Sequence, residues 1–217
     1  MKFGGDALDI SQLLLPIVFS LLGYSSGSVL YARIFAKIFN KKDMLEKSRD
    51  QNPGAANAFQ YGGFWCGIFT LLGDLAKGFV PVYTFMYIAS EEYLHMIPTA
   101  LVIAAPVIGH IFPAFYHFEG GKGIAATFGV LLGLLPHWKP LVVLVVLFVF
   151  FSSVIRITPH FYRTGVTYLL ALVGMFLFTD EIAIFLGFLL ITACVIARLF
   201  SSKEERKKPG VKLLWMC

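Results

Sequence analysis

The chain has 217 residues, 58% of them hydrophobic, 16% aromatic and 14% charged, with a mean hydropathy of +0.76 and a formal net charge of +5. Soluble domains carry roughly 45–50% apolar and about 25% charged residues, so a soluble fold is excluded by having too little polar surface to cover its apolar side chains. Disorder, collagen-like repeats and a disulfide scaffold fail on the same numbers, and at about 20 residues per crossing the length holds roughly six to eight membrane helices in one compact domain spanning the whole chain.

The first apolar run, from Ile10 to Ile38, leads into Arg33, Lys37, Lys41 and Lys42, a stop-transfer flank rather than the small-residue site of a cleaved signal peptide. Further apolar runs extend from Phe64 to Ala89, Met96 to Phe115, Ile124 to Pro136, Leu141 to Ile155, Tyr162 to Phe178 and Ile182 to Phe200. The stretch from Ile124 to Pro136 is short for a span. Tight turns are predicted around Pro136 to Pro140 and Thr179 to Glu181. The expected fold is therefore all-α and polytopic, with seven transmembrane helices, the N-terminus outside and the C-terminus cytoplasmic. That threading leaves only Lys2 and Lys139 outside and Lys77 within a span, with every other Lys and Arg inside, as the positive-inside rule requires. The net charge is thus a topology signal. The tail from Ser201 to Lys212 reads as a basic juxtamembrane segment near anionic headgroups, and no nucleic-acid partner is expected. Cys66, Cys194 and Cys217 form no CxxC pair, and His95, His110, His117, His137 and His160 are scattered, so no metal site is expected.

The glycine-rich and polar anomalies all fall on the inner side of this topology. In the stretch from His110 to Thr127, Gly120, Gly121 and Gly123 surround Lys122. Such glycines let backbone N–H groups approach an anion, the helix beginning near Ile124 offers its positive end, and Lys122 adds a full charge, which suits a phosphate. A simple turn with a topogenic lysine fits the same residues, and His110 also fits a satisfied helix-end histidine. Gly27-Ser28 and the Asn52-Pro-Gly-Ala-Ala-Asn57 segment offer further donors, against the alternatives of Ser28 back-bonding to its own helix and an ordinary Asx turn. Asp74 and Lys77 lie three apart on one helix face within an apolar run, either at a functional centre or as an ion pair pinning two helices. Ser152 and Ser153, before Arg156, fit either a site or an interhelix seam.

These residues resemble the bacterial acyl-phosphate:glycerol-3-phosphate acyltransferase family, PlsY. Its His-x-Phe-Pro, Phe-x-Gly-Gly-Lys-Gly and Ala-Thr elements are matched by His110, Phe112, Pro113, Phe118, Gly120, Gly121, Lys122, Gly123, Ala126 and Thr127. Its Gly-Ser and Asn-x-Gly-Ala-x-Asn elements are matched by Gly27, Ser28, Asn52, Gly54, Ala55 and Asn57, and its Asp-x-x-Lys-Gly by Asp74, Lys77 and Gly78. The resemblance implies an integral enzyme of a bacterial inner membrane, with its active site facing the cytoplasm. Its reaction would pass a fatty acyl group from acyl phosphate to the 1-hydroxyl of glycerol 3-phosphate, giving lysophosphatidic acid and phosphate. It implies catalytic roles for Lys122, His110 and Ser28, and substrate binding by Gly120, Gly121, Gly123, Thr127, Asn52, Gly54, Asn57, Lys77, Asp74 and Ser153. No cofactor or metal is implied. The implied partners are acyl phosphate, glycerol 3-phosphate, membrane lipids and an upstream acyl-phosphate-forming enzyme.

The chain departs from the family pattern in three places. The Asp-Ile-Arg and Gly-Ser-Gly-Asn stretch is replaced by Asp43 to Asn52, where Lys47 and Arg49 are the nearest cations. No arginine precedes Ser152 and Ser153, although Arg156 follows them, and the final His and Asn are absent before Arg198-Leu199, with Glu204 beyond. Lysine does not reproduce the bidentate guanidinium. The alternative reading is a catalytically altered or inactive relative that binds a phospholipid or phosphorylated metabolite. A transporter is disfavoured because no internal repeat is present.

Overall fold

The computed structural model describes residues 10–48, 50–90, 93–94, 97–202 and 208–213. Arg49 and Glu204, both singled out above, lie outside the described residues. In chain order the helices are α1 (Ile10–Gly27), α2 (Tyr31–Ile38), α3 (Met44–Lys47), α4 (Ala55–Asn57), α5 (Phe64–Ile88), α6 (Ile97–Ile111), α7 (Ile124–Gly133), α8 (Lys139–Val149), α9 (His160–Phe178) and α10 (Ile182–Ser201).

The first apolar run is not one helix. Leu30 adopts an extended conformation, φ −95° and ψ 90°, and separates α1 from α2. On α2, Ala32 and Ala36 are buried while Arg33 and Lys37, one residue further on, are exposed. That distribution suits a helix lying at the membrane surface with its cations toward headgroups. The break leaves carbonyls at the end of α1 without intrahelical donors. In the link just beyond α1, Lys77 Nζ donates to Val29 O at 2.8 Å.

The bundle is drawn together by glycine. A Cβ placed on Gly27 would lie 2.1 Å from Pro106 O, and one on Gly109 2.2 Å from Tyr24 O, so α1 and α6 cross backbone to backbone. The same reciprocity joins α5 to α7, where Gly78 meets Ala126 O at 2.4 Å and Gly129 meets Leu75 O at 2.1 Å. Small residues serve in this way between membrane helices, because lipid gives no hydrophobic drive and close van der Waals contact must hold the helices together. The main core contains Val107, Leu131, Leu144, Tyr168, Phe188 and Val195, contributed by α6 to α10. Leu21, Leu72, Phe176 and Leu177 are exposed on the outside of the bundle, an apolar exterior that suits lipid.

Among the described residues, five helical stretches are long and apolar enough to cross a membrane: Leu13–Ile38, Phe64–Ile88, Ile97–Tyr116, His160–Phe178 and Ile182–Ser201. The other two of the seven expected spans, Ile124–Gly133 and Lys139–Val154, are shorter apolar helices. The 10 residues of α7 span about 15 Å at 1.5 Å per residue, half of a hydrocarbon core of about 30 Å.

The run from Leu141 to Ile155 also ends differently from expectation. After α8 the chain makes a π turn over Phe150–Val154 and then a strand, β1 (Ile155–Thr158), antiparallel to β2 (Gly210–Leu213), with Arg156 opposite Lys212. Ile155 and Ile157 alternate with Arg156 and Thr158, a period of two that an apolarity count over a long window passes over. The end of the basic tail is thus part of a two-stranded ladder at the foot of α9.

Candidate active site

The glycine loop between α6 and α7 is tied back to the end of α6. Gly121 N donates to His110 O at 3.0 Å and Gly120 N to Ile111 O at 3.2 Å. Gly120 O accepts from Arg198 Nη2 on α10 at 2.5 Å. A side chain at Gly121 has no room: its Cβ would sit 2.1 Å from His110 Nε2. Gly123 has φ +80°, a left-handed conformation that favours glycine, and it turns the chain into α7. With the loop fixed on both sides, Lys122 is held in a buried position, 6% exposed.

Lys122 Nζ lies 2.9 Å from Asp50 Oδ2. The other carboxylate oxygen of Asp50 accepts from Asn57 Nδ2 at 2.8 Å and from Asn52 N at 3.3 Å, while Asn57 Nδ2 also donates to Asn52 O at 2.9 Å. Burial alone raises the Asp50 carboxyl, but the hydrogen bond and charge of Lys122, with the amides of Asn57 and Asn52, outweigh it and hold the carboxyl below its ordinary value of 3.8. Asp50 is therefore ionised at neutral pH.

These groups line one cavity of about 790 Å³, a volume within the range of small-molecule sites. Its polar part is formed by Asp50, Asn52, Asn57, Asp74, His110 and Lys122, with Gly54 and Gly123 contributing backbone. Its apolar part is formed by Leu71, Ile124, Phe128 and Phe148, the two phenylalanine rings meeting edge to face at 5.7 Å. Gln60, Tyr61, Pro159 and His160 complete the rim. Within the polar part, Asp74 Oδ1 lies 2.8 Å from Lys77 Nζ and 3.6 Å from His110 Nδ1, while Asp74 Oδ2 is buried with no hydrogen-bond partner among the described residues.

The thirteen positions expected from sequence do not share one fate. Lys122, His110, Asn52, Gly54, Asn57, Asp74 and Gly123 line the cavity. Gly120 and Gly121 support the loop behind it, and Lys77 stands behind Asp74. Ser28 is buried outside the lining, its Oγ donating to Tyr24 O at 2.9 Å and accepting from Ala114 N at 3.3 Å, which is the back-bonding alternative. Thr127 is buried too, donating to Gly123 O at 2.9 Å and accepting from Tyr168 OH at 3.0 Å. Ser153 is exposed within the π turn and takes no part in the lining.

Three residues were not anticipated as site members. Asp50 lies in the very stretch compared for a missing arginine, and its spacing of two from Asn52 is an Asx-turn signal. His160 has no motif around it and reaches the rim only because β1 delivers Pro159 there. Arg198 stood out as a lone arginine near the end of an apolar run, but nothing local to it points to Gly120.

The family model for glycerol-3-phosphate acyltransferase matches residues 17–206. The chain belongs to the glycerol-3-phosphate acyltransferase family. It is 32% identical over 200 residues to the glycerol-3-phosphate acyltransferase of Ruthia magnifica subsp. Calyptogena magnifica, covering 89% of this chain and 97% of that one. The corresponding protein of Albidiferax ferrireducens is 39% identical over 136 residues, a match that spans 63% of this chain and 60% of the relative. The crystal structure of PlsY (YgiH), an integral membrane glycerol 3-phosphate acyltransferase, in its glycerol 3-phosphate form shares the fold with a TM-score of 0.71 at 21% identity, over 86% of this chain and 88% of that one. This member of the glycerol-3-phosphate acyltransferase family is a membrane acyltransferase of phospholipid synthesis, and the expected PlsY-like integral membrane fold is the one observed.

Proposed function

We propose that the chain transfers a fatty acyl group from acyl phosphate to the 1-hydroxyl of glycerol 3-phosphate, releasing lysophosphatidic acid and inorganic phosphate. In the proposed topology a single domain crosses the membrane seven times, with its N-terminus outside and its C-terminus in the cytoplasm. Val142, Val146 and Val149 give the shorter helix α8 an exposed apolar face that suits lipid. The cavity would then open to the cytoplasmic face of a bacterial inner membrane, where glycerol 3-phosphate and the product of an acyl-phosphate-forming enzyme arrive. The glycerol 3-phosphate form of PlsY, of the same fold, supports that acceptor.

The observation that carries this reading is the meeting of Lys122, Asn52 and Asn57 with an apolar wall of Phe128 and Phe148 in one cavity. A phosphate and a hydrocarbon chain have opposite solvation needs, and the two parts meet each of them. The acceptor oxygen attacks the acyl carbonyl carbon, the carbon–oxygen bond to phosphate breaks, and the hydroxyl proton leaves with the phosphate. Acyl phosphate is already activated, so holding both reactants and offsetting the negative charge at the carbonyl oxygen supplies most of the acceleration. Lys122 is the group assigned to that charge. His110 and Ser28 act as positioning residues, His110 by filling the space beside Gly121 and Ser28 by fastening Ala114 to the end of α1.

Purified protein given palmitoyl phosphate and glycerol 3-phosphate should form lysophosphatidic acid, identified by mass spectrometry. Lys122→Ala should lower the rate by about 100-fold or more. No product with any acyl phosphate and polyol phosphate overturns the reading. The second reading, a relative that binds a phosphorylated ligand without turnover, is favoured by one contact, the Asp50 carboxylate already seated on Lys122. Ligand binding with no product would select it.

A further inference from the structure

The anion cradle of this chain contains an anion of its own. Asp50 reaches Lys122 from 72 positions earlier in the chain, at 2.9 Å. Its side chain is 17% exposed and lines the same cavity as Lys122, so it stands at the substrate's place rather than behind it. It is held from three directions, by Lys122, by the Asn57 side chain and by the Asn52 backbone N–H. Those donors are of the kind that bind phosphate oxygens: an ammonium, a side-chain amide and a backbone amide at a turn.

We propose that Asp50 sets the affinity of the site, as an internal carboxylate that competes with the phosphate of an incoming substrate for Lys122 and Asn57. The proposal rests on the acyl-transfer reading for the identity of the ligand, but not for its mechanism. A phosphoryl oxygen and the Asp50 carboxylate cannot share one ammonium at hydrogen-bonding distance without repelling each other. Binding of a phosphorylated substrate therefore loosens or breaks the hold of the carboxylate on Lys122, and the affinity observed is the new ion pair less what is lost from the old one. A substrate that makes more than one contact to the cradle, such as a phosphate monoester with adjacent hydroxyls, displaces Asp50 more readily than inorganic phosphate does. The carboxylate thus raises the threshold for every anion that must displace it, and a ligand with further contacts to the cradle is the one that still occupies the site at low concentration.

The test measures binding without turnover. Inorganic phosphate and glycerol 3-phosphate are titrated separately into the detergent-solubilised full chain, with no acyl donor, by calorimetry. Asp50→Asn keeps an acceptor for Asn57 and removes the charge, and Asp50→Ser removes the charge with a smaller side chain. In each folded variant, inorganic phosphate should bind about tenfold or more tighter than in the wild type, the worth of one charge-assisted hydrogen bond. Glycerol 3-phosphate should gain by a similar factor, since both ligands displace the same carboxylate. Lys122→Gln should abolish the gain when combined with either variant. Equal or weaker phosphate binding in whichever Asp50 variant folds overturns the proposal, and so does a gain that survives in the double variant with Lys122→Gln. Neither readout depends on acyl transfer, so a protein that makes no lysophosphatidic acid still decides this question.

Discussion

Lys77 closes the break in the first membrane segment: from the middle of α5 its Nζ donates to Val29 O, a carbonyl of the link just beyond α1. The same nitrogen lies 2.8 Å from Asp74 Oδ1, and both side chains are almost wholly buried. One cation thus supports the helix break on one side and the carboxylate at the cavity wall on the other.

Lys77→Met is expected to destabilise the protein by about 3–5 kcal/mol, the usual cost of removing one partner from a buried ion pair. Thermal unfolding in detergent checks it. The double variant Asp74→Asn with Lys77→Met should lose less than the two single losses combined, since no uncompensated charge then remains. Equal stability of Lys77→Met and the wild type would dismiss the pair as a structural element.

Gly121→Ala forces a methyl group to within 2.1 Å of His110 Nε2. The loop or the imidazole must move, and a displacement of about 1 Å at a catalytic group costs about 100-fold in rate. The control is Gly165→Ala in α9, where the added Cβ meets only Ile196 Cδ1 at 3.8 Å. That change should leave activity intact and stabilise the helix by about 0.5–1 kcal/mol. Comparable activities for the two variants would remove the close packing of the glycine loop from the account.

The Asp50 carboxyl lies below 3.8 in the folded protein, so its ionised form is favoured by folding. Its contribution to stability is complete above the unfolded value of 3.8 and is lost as pH falls through the lower folded value. The difference in unfolding midpoint between the wild type and Asp50→Asn should stay level above pH 3.8 and shrink below it. A difference that changes while the pH is still well above 3.8 assigns the linkage to another group.

Ending the chain after Ser202 removes β2 and leaves β1 unpaired. Pro159 and His160 follow β1 directly and stand at the rim of the cavity. The expected result is a higher KM for the acyl donor with membrane insertion retained, measured by initial rates on washed membranes. An unchanged KM separates the ladder from the site.

The glycine loop was legible in the sequence because its chemistry is local: four residues, Gly120 to Gly123, carry the turn, the charge and the close approach together. The helices were legible for the same kind of reason, as apolar runs bounded by charges. The break after Gly27 was only half legible: Ser25, Ser26, Gly27 and Ser28 make the run more polar there, but the reach of Lys77 from α5 to Val29 O leaves no local mark. Asp50 was hidden by distance, its partner being 72 residues away, and a lone carboxylate in a loop ordinarily reads as solvated surface. The pairing of β1 with β2 joins segments separated by two long helices, which no local period encodes. Asp74 and Lys77 were recognised as a pair, but their relation to His110 and Val29 depends on how α1, α5 and α6 cross.

At Gly27 and Gly109, and again at Gly78 and Gly129, main chain rests on main chain. Helices seated in this way have no side chains between them to shorten or lengthen, so their spacing is a constant of the architecture. Phe128 and Phe148 are seated differently, ring against ring on α7 and α8. Under the proposed acyl transfer, adaptation to a longer or bulkier hydrocarbon tail would fall to this aromatic wall, through exchange of one ring for a smaller side chain.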